Sequence, residues 1–174
     1  MKRIIFPVYL LIILAGFIIS SCAPEQKEEK ITSVYSKEQL EQTSPAEALN
    51  LLKEGNLRFT ASKMFARNLN EQVIKTSTGQ YPFAAIVSCI DSRVIAENIF
   101  DIGIGDAFNA RVAGNFVNDD ILGGLEYSCK VVGSKVILVL GHTHCGAVKA
   151  ACDNIELGNI TSLVINIKPA VEMV

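Results

Sequence analysis

Apolar and polar positions divide the chain into segments of strand length and helix length. Continuous apolar runs, typical of strands buried on both faces of a sheet, lie at residues 83–88 and 135–141, and a further strand is predicted near 107–112. Helical spacing of apolar positions predicts helices at residues 93–100, 119–132, 147–153 and 162–173. Strands that alternate with helices predict an α/β fold with a mostly parallel central sheet flanked by helices.

A helix with a clear start precedes the first strand. Ser44 supplies an N-cap hydroxyl, Pro45 occupies a position where its missing N–H costs nothing, and Glu47 completes a capping box. The apolar stripe of this helix contains Leu49, Leu52 and Phe59. Residues 22–43 are mostly polar and charged and are predicted to be a tether. The folded domain is therefore predicted at residues 44–174.

The first residues have the composition of an export signal. Residues 1–3 carry positive charge, residues 4–19 are almost wholly apolar, and small residues lie directly before Cys22. This pattern resembles a bacterial lipobox, which implies a signal peptide at 1–21, a lipid on the Cys22 thiol, and an exported, membrane-anchored lipoprotein facing the periplasm or the cell exterior. An uncleaved membrane anchor is the alternative, although the run is short for a bilayer span and contains Pro7.

Composition limits the partners of the protein. The 174 residues are 49% hydrophobic, which is enough for one domain with a hydrophobic core. Lys and Arg number 16 against 18 acidic residues and form no dense cluster beyond the N-terminus, so a nucleic-acid partner is not expected. The cysteines beyond Cys22 are Cys89, Cys129, Cys145 and Cys152. In an oxidising compartment they allow two disulfides, but the residues around two of them favour metal binding.

Three potential metal ligands follow predicted strands. Cys89 lies at the carboxyl end of the first strand, and His142 and Cys145 follow the strand at 135–141. The ligand crevice of an open parallel sheet lies at the carboxyl ends of its strands. Two thiolates and one imidazole form a tetrahedral zinc site with a position left for water, the pattern of catalytic zinc. Cys129 and Cys152 have no ligand spacing and are interpreted as packing residues.

Asp91 and Arg93 lie within a few residues of the first of these ligands. Zinc lowers the pKa of a bound water to about 7, and a nearby carboxylate can accept the remaining hydroxide proton in a hydrogen bond. A bidentate guanidinium would hold that carboxylate in place. A surface ion pair is the alternative, and the pattern "D-x-R" alone would favour it.

Two stretches resemble the signatures of a known enzyme family. "CIDSRV" at 89–94 and "GHTHCGA" at 141–147 are similar to the two signature motifs of the β-class carbonic anhydrases. The similarity continues through "SPAEALNLLKEGNLRF", "ENIFDIGIGDAF", "ARVAGN" and "LEYSCKVVGSKVILVLGH". The resemblance implies one Zn²⁺ per chain with the ligands Cys89, His142 and Cys145. It also implies that Asp91 and Arg93 form the catalytic dyad, with Asp91 as the candidate fourth ligand.

The plant-type branch of this family implies a substrate pocket as well. Gln80, Phe108 and Tyr127 lie at the matching positions, where an amide donates to a substrate oxygen and two rings form a tight apolar pocket. Ordinary core packing is the alternative for the two aromatic residues. Gly146, next to a ligand, would allow close approach of the backbone. His144 is interpreted as a solvated residue, with a proton-shuttle role as the alternative.

The resemblance implies a zinc lyase, carbonate dehydratase, in which zinc hydroxide attacks CO2 and bicarbonate and a proton are released reversibly. One alternative keeps the fold but hydrolyses carbonyl sulfide or carbon disulfide, as some relatives do. The pocket residues Gln80, Phe108 and Tyr127 favour CO2. The other alternative is a truncated, non-catalytic zinc-binding protein anchored to the membrane.

The family also implies an assembly. In this family a helix like the one that begins at Ser44 packs on a neighbouring chain, and the active site lies close to that interface. A homodimer or a higher homo-oligomer is therefore expected. Family members continue beyond the helix that ends near Met173 into a further strand and a closing helix. The resemblance thus predicts a sheet that lacks this C-terminal strand within the 174 residues.

Overall fold

The computed structural model describes residues 30–174, so the predicted signal peptide, the lipidation site Cys22 and the start of the tether lie outside the described residues. Before the sheet the chain forms α1 (Lys37–Gln42), α2 (Pro45–Thr60) and α3 (Leu69–Thr76). The central part contains β1 (Ala84–Ser88), α4 (Ala96–Ile99), β2 (Ala107–Arg111) and α5 (Asp119–Glu126). The remainder contains a π-helix (Tyr127–Val132), β3 (Val136–Leu140), α6 (Gly146–Cys152) and α7 (Gly158–Glu172).

The three strands form one parallel sheet in the order β2-β1-β3, which confirms the predicted α/β architecture. Ala84 pairs with Ala107 and Val136, and Ser88 pairs with Arg111 and Leu140. All five residues of β1 are buried, as expected for a central parallel strand with both faces covered. Because the register is aligned, the three strands end at the same edge of the sheet.

Helix α2 begins with the predicted capping box. The backbone N–H of Glu47 donates to the Ser44 hydroxyl at 3.2 Å, and the Ser44 N–H donates to the Glu47 carboxylate at 2.7 Å. Leu52 is fully buried, whereas Phe59 is exposed, so the predicted apolar stripe turns away from the core at its end. A Cβ added at Gly55 would lie 1.7 Å from the Phe100 carbonyl oxygen, so only glycine permits this close approach.

The predicted tether is partly folded onto the domain. Ile31 forms a bridge with Arg67, and Ser36 caps α1 through a capping box with Gln39. Leu40 is 3% exposed and belongs to the main core cluster, against which Tyr35 packs. The predicted domain start at residue 44 is therefore corrected to include residues 31–43. Apolar packing and hydrogen bonds both contribute to this attachment, since Gln72 Nε2 also donates to the Ser33 carbonyl at 2.9 Å.

Several helix boundaries differ from the prediction. The helix predicted at 93–100 is shortened to α4, because residues 91–94 form a turn in which the Val94 N–H donates to the Asp91 carbonyl. The helix predicted at 119–132 changes to π-helical geometry at Tyr127 and ends at Gly133, whose φ is 95°. Helix α3 was not predicted. Within residues 30–174, every helix is too short or too polar to cross a bilayer.

A buried ionic cluster attaches α2 to the segment after α4. The Asp101 side chain is fully buried and forms ion pairs with Arg58 of α2 and with Arg67. Its carboxylate also accepts a hydrogen bond from the Phe65 N–H at 3.3 Å. Burial opposes ionisation of Asp101, but the hydrogen bonds from Arg58 and Arg67 outweigh it and hold its pKa below the usual value.

Candidate metal centre

The three predicted ligands converge at the carboxyl edge of the sheet. Cys89 directly follows β1, His142 lies two residues beyond β3, and Cys145 is the N-cap residue of α6. One ligand atom from each residue lies within 4.8 Å of the other two, and the two sulfur atoms are 3.9 Å apart. Cys89 is 4% exposed, so the group is recessed below the surface. Parallel strand ends therefore bring together residues from two separate motifs.

The donor set fits zinc. His142 Nδ1 lies 2.9 Å from the Thr143 carbonyl oxygen, a partner that fixes the proton on this nitrogen. His142 Nε2 is buried and has no hydrogen-bond partner among the residues that the structure describes. In this tautomer Nε2 carries a free lone pair, and it lies beside two thiol sulfurs. Sulfur and imidazole nitrogen are the ligands that zinc prefers, and three protein ligands are typical of a catalytic site.

Electrostatic surroundings favour the thiolate at Cys89. Burial opposes thiolate formation at Cys89. Polar groups that favour the thiolate outweigh this effect: the backbone N–H groups of Gly114 and Asp91 and the side chains of His142 and Cys145. Together they lower the pKa of Cys89 to about 7. The neighbouring Cys89 sulfur raises the pKa of His142. The site therefore stabilises negative charge on sulfur near neutral pH, as metal coordination requires.

Asp91 and Arg93 form a bidentate pair at the border of the ligand group. Arg93 Nε donates to Asp91 Oδ1 at 2.9 Å, and Arg93 Nη2 donates to Oδ2 at 2.8 Å. These bonds hold the pKa of Asp91 well below its usual range. Asp91 Oδ2 also lies 4.0 Å from His142 Nε2. The carboxylate is thus ionised, clamped and adjacent to the metal ligands, which an ordinary surface ion pair would not be.

The predicted pocket residues lie together but away from the metal ligands of the same chain. The Phe108 and Tyr127 rings meet edge to face with centroids 6.0 Å apart, beside an apolar cavity of about 190 Å³. Gln80 and Tyr127 line a neighbouring cavity of about 330 Å³. Phe108 pairs with Ala85, which lies about 13 Å along β1 from Cys89. The three side chains therefore form a group near the opposite end of the sheet.

Other predictions around the site are corrected. A Cβ added at Gly146 would meet nothing within 4 Å, so no close backbone approach requires glycine there. Cys129 and Cys152 are exposed, and their interpretation as packing residues is wrong. Both lie on helices whose sequence pattern does not identify the solvent face. His144 is exposed and adopts φ of 55°, a left-handed conformation that histidine adopts more readily than most residues.

Sequence reasoning missed Arg111. Its Nε donates to the Cys89 carbonyl at 3.0 Å, and its Nη2 donates to the Asp91 carbonyl at 2.7 Å. Arg111 lies within the stretch "ARVAGN", twenty residues after Asp91. Its contact with that motif depends on the register of β2 against β1, which the sequence pattern does not specify.

Comparisons with known proteins agree with this geometry. The family model described as carbonic anhydrase matches residues 84–174. Carbonic anhydrase 2 of Mycobacterium tuberculosis is 43% identical over 119 residues, which cover 68% of this chain and 58% of the relative. The carbonic anhydrase of Mycolicibacterium smegmatis is 39% identical over 121 residues, covering 69% and 59%.

The fold is also similar to that of a solved carbonic anhydrase structure. The crystal structure of the β-carbonic anhydrase CafA of Aspergillus fumigatus superposes with a TM-score of 0.54 at 27% identity, covering 74% of this chain and 60% of that one. The chain spans less than two thirds of the length of each of these relatives. The family match includes β1, both signature motifs and all three metal ligands. The chain therefore belongs to the carbonic anhydrase family, and its relatives place it in the β class.

Proposed function

We propose that the chain catalyses the reversible hydration of CO2 to bicarbonate and a proton. The observation that carries this proposal is the group of Cys89, His142 and Cys145 at one sheet edge, with the Asp91 carboxylate directly beside it. These three residues would hold one zinc ion per chain. When bound, zinc supplies a Lewis acid that makes water nucleophilic at neutral pH.

The residues of the chain then orient the nucleophile. Asp91 stays ionised because Arg93 donates two hydrogen bonds to its carboxylate. An ionised carboxylate can only accept hydrogen bonds. Asp91 Oδ2 would therefore accept a hydrogen bond from the attacking oxygen and so direct a lone pair of that oxygen toward CO2. Asp91 is also the candidate fourth ligand, because Oδ2 lies only 4.0 Å from His142 Nε2. Arg93 opposes that movement by holding the carboxylate.

We infer that the pocket formed by Gln80, Phe108 and Tyr127 serves the metal centre of a second copy of the chain. Within one chain the pocket lies about 13 Å along the sheet from Cys89. Tyr127 is 51% exposed and Val131, on the same π-helix, is 70% exposed, so this region presents apolar surface outward. A homodimer, or a larger assembly that contains it, would bring the pocket and the metal together.

Stopped-flow measurement of CO2 hydration per bound zinc tests the proposed reaction. The purified full chain is expected to bind one zinc and to hydrate CO2, whereas Cys145→Ser is expected to lose both metal and activity because a hydroxyl is a poor substitute for a thiolate. The matched control is Cys152→Ser, which changes an exposed cysteine outside the ligand group. Hydrolysis of carbonyl sulfide without CO2 hydration by the zinc-loaded chain would contradict the proposal.

Export and lipidation are proposed from the sequence alone. The positively charged start, the apolar run at residues 4–19 and the small residues before Cys22 support a lipoprotein signal. Cells expressing the full chain are expected to incorporate radiolabelled fatty acid into it, and Cys22→Ala is expected to abolish the label. Equal labelling of both chains would contradict this proposal.

A further inference from the structure

Arg111 connects the end of β2 to the segment that carries the first metal ligand. Arg111 pairs with Ser88 in the sheet, one residue before Cys89. Its single guanidinium donates to two main-chain oxygens, those of Cys89 at 3.0 Å and Asp91 at 2.7 Å. The two acceptors lie on either side of Ile90. Arg111 therefore restrains the path of the backbone through the first signature motif.

This restraint matters because residues 90–93, between the buried Cys89 and the buried Val94, pack little against the core. The segment lies outside helix and strand, and Ile90 is 60% exposed, so it adds little core packing. Arg93 holds the Asp91 carboxylate, but both residues belong to the same segment. Their ion pair therefore moves with the segment. Arg111, by contrast, projects from a strand of the sheet and can fix the segment against it.

The continuation of β2 approaches the same ligand from a second direction. The Val112 N–H donates to the Ser88 carbonyl at 3.0 Å, directly before Cys89 in the chain. Gly114 has φ of 78°, and an added Cβ would lie 2.3 Å from the Ile167 side chain. The residue after β2 thus holds the main chain directly before Cys89, although β2 contributes no metal ligand.

We propose that Arg111 is a positioning residue of the metal centre. It holds the carbonyls of Cys89 and Asp91 so that the Cys89 sulfur and the Asp91 carboxylate stay aligned with His142 and Cys145. It acts through these residues and contacts neither metal nor substrate. The inference rests on the proposed zinc site but not on the proposed reaction, because metal affinity can be measured without CO2.

The test compares Arg111→Met, Arg111→Lys and Asn109→Ala in the full chain. Methionine keeps an unbranched side chain without donors, and lysine keeps the charge but cannot form the guanidinium fork. Asn109 precedes Arg111 on the same exposed face of β2 and donates to Glu97 at 2.8 Å, away from the ligand segment. The readouts are zinc affinity by chelator competition and the sulfur-to-metal absorption band of the cobalt-substituted protein.

Arg111→Met is expected to weaken zinc binding by about 10–100-fold, the usual effect of losing a partner that orients a ligand. Its cobalt band should shift, Arg111→Lys should be intermediate, and Asn109→Ala should match the wild-type chain. If Arg111→Met does not fold, the folded Arg111→Lys decides. A folded variant with wild-type zinc affinity and a wild-type cobalt spectrum would overturn the role of Arg111 but not the proposed zinc site. A wild-type chain that binds no metal would overturn both.

Discussion

At the scale of single residues, Asp91 is held by two arginines through different atoms. Arg93 binds its carboxylate, and Arg111 binds its carbonyl oxygen. The Arg93 side chain is 74% exposed while that of Asp91 is 19% exposed, so water screens the pair only from one side. The contribution of this pair to folding stability is expected to be small. Its effect is expected in orientation of the carboxylate, which stability measurements do not report.

Asp91→Asn is therefore expected to retain zinc but to lose about 10–100-fold in CO2 hydration rate per bound zinc, because an amide nitrogen can donate where the reaction needs an acceptor. Arg93→Ala should also retain zinc with a depressed rate, since the freed carboxylate can move onto the metal. The matched control is Asp153→Asn, which alters an exposed carboxylate paired with Lys149. Lower thermal stability with an unchanged rate per zinc would identify a structural salt bridge instead.

At the scale of elements, the Asp101 cluster determines how α2 attaches to the sheet layer. Its members come from α2, from the segment before α3 and from the segment after α4. Gly55 lies one helical turn before Arg58 and lets α2 approach Phe100 closely. Because the Asp101 side chain is fully buried, removal of its charge would leave two guanidinium groups without their partner.

Asp101→Asn is expected to destabilise the fold by about 3–5 kcal/mol, the range for breaking a buried ion pair. The folded pKa of Asp101 is lowered, so its contribution is present above the unfolded value of about 3.9 and is lost as pH falls through the folded value. The free energy of unfolding of the wild-type chain, measured with urea, should thus decrease below about pH 4. The variant should show a smaller pH dependence, and parallel pH curves for the two proteins would contradict this account.

The sequence pattern was sufficient for elements whose apolar residues are contiguous. The runs at 83–88 and 135–141 predicted β1 and β3 to within one residue at each end, because continuous apolar character identifies a doubly covered strand. Leu40 could not be identified as a core residue, since its burial depends on tertiary packing of a single apolar residue in a charged stretch. The π-helix was missed because an α-helix and a π-helix share the same composition.

Some residues of the site could be predicted from the sequence pattern and others could not. Cys89, His142 and Cys145 could be predicted because strand ends converge at one edge whatever the exact register. Arg111 and the location of Phe108 could not, since both depend on how β2 is aligned with β1. The motifs at the strand ends indicate which residues could bind a metal, but the strand register determines which residues support those ligands.

At the scale of the whole molecule, the pocket and the metal centre lie at different ends of one sheet. If the group of Gln80, Phe108 and Tyr127 serves a metal centre, as proposed, another chain has to bring its metal ligands to it. In a two-fold dimer each chain would supply the metal to one site and the pocket to the other. This arrangement predicts that a mixed dimer of two inactive variants regains activity.

A heterodimer of Cys145→Ser with the double variant Phe108→Ala, Tyr127→Ala would contain one intact site if the pocket acts on the partner chain. Each homodimer is expected to be nearly inactive, and heterodimers isolated through two different affinity tags are expected to recover about half the wild-type rate. The control replaces Cys145→Ser by a chain that carries all three substitutions, which removes the intact pocket. An inactive, metal-loaded heterodimer would show that the pocket does not serve the partner chain.

The alignment of all three strands in parallel also affects how the chain reaches this fold. Partners such as Ala84 and Val136 are separated by both crossover segments, so no strand pair can begin from a tight hairpin. Non-local pairing has to overcome loop-closure entropy before it contributes stability, and chains that depend on it fold slowly. During synthesis the apolar β1 run leaves the ribosome well before β3 exists to cover it. Aggregation is the main competitor in that interval, and chaperones would have their greatest effect there.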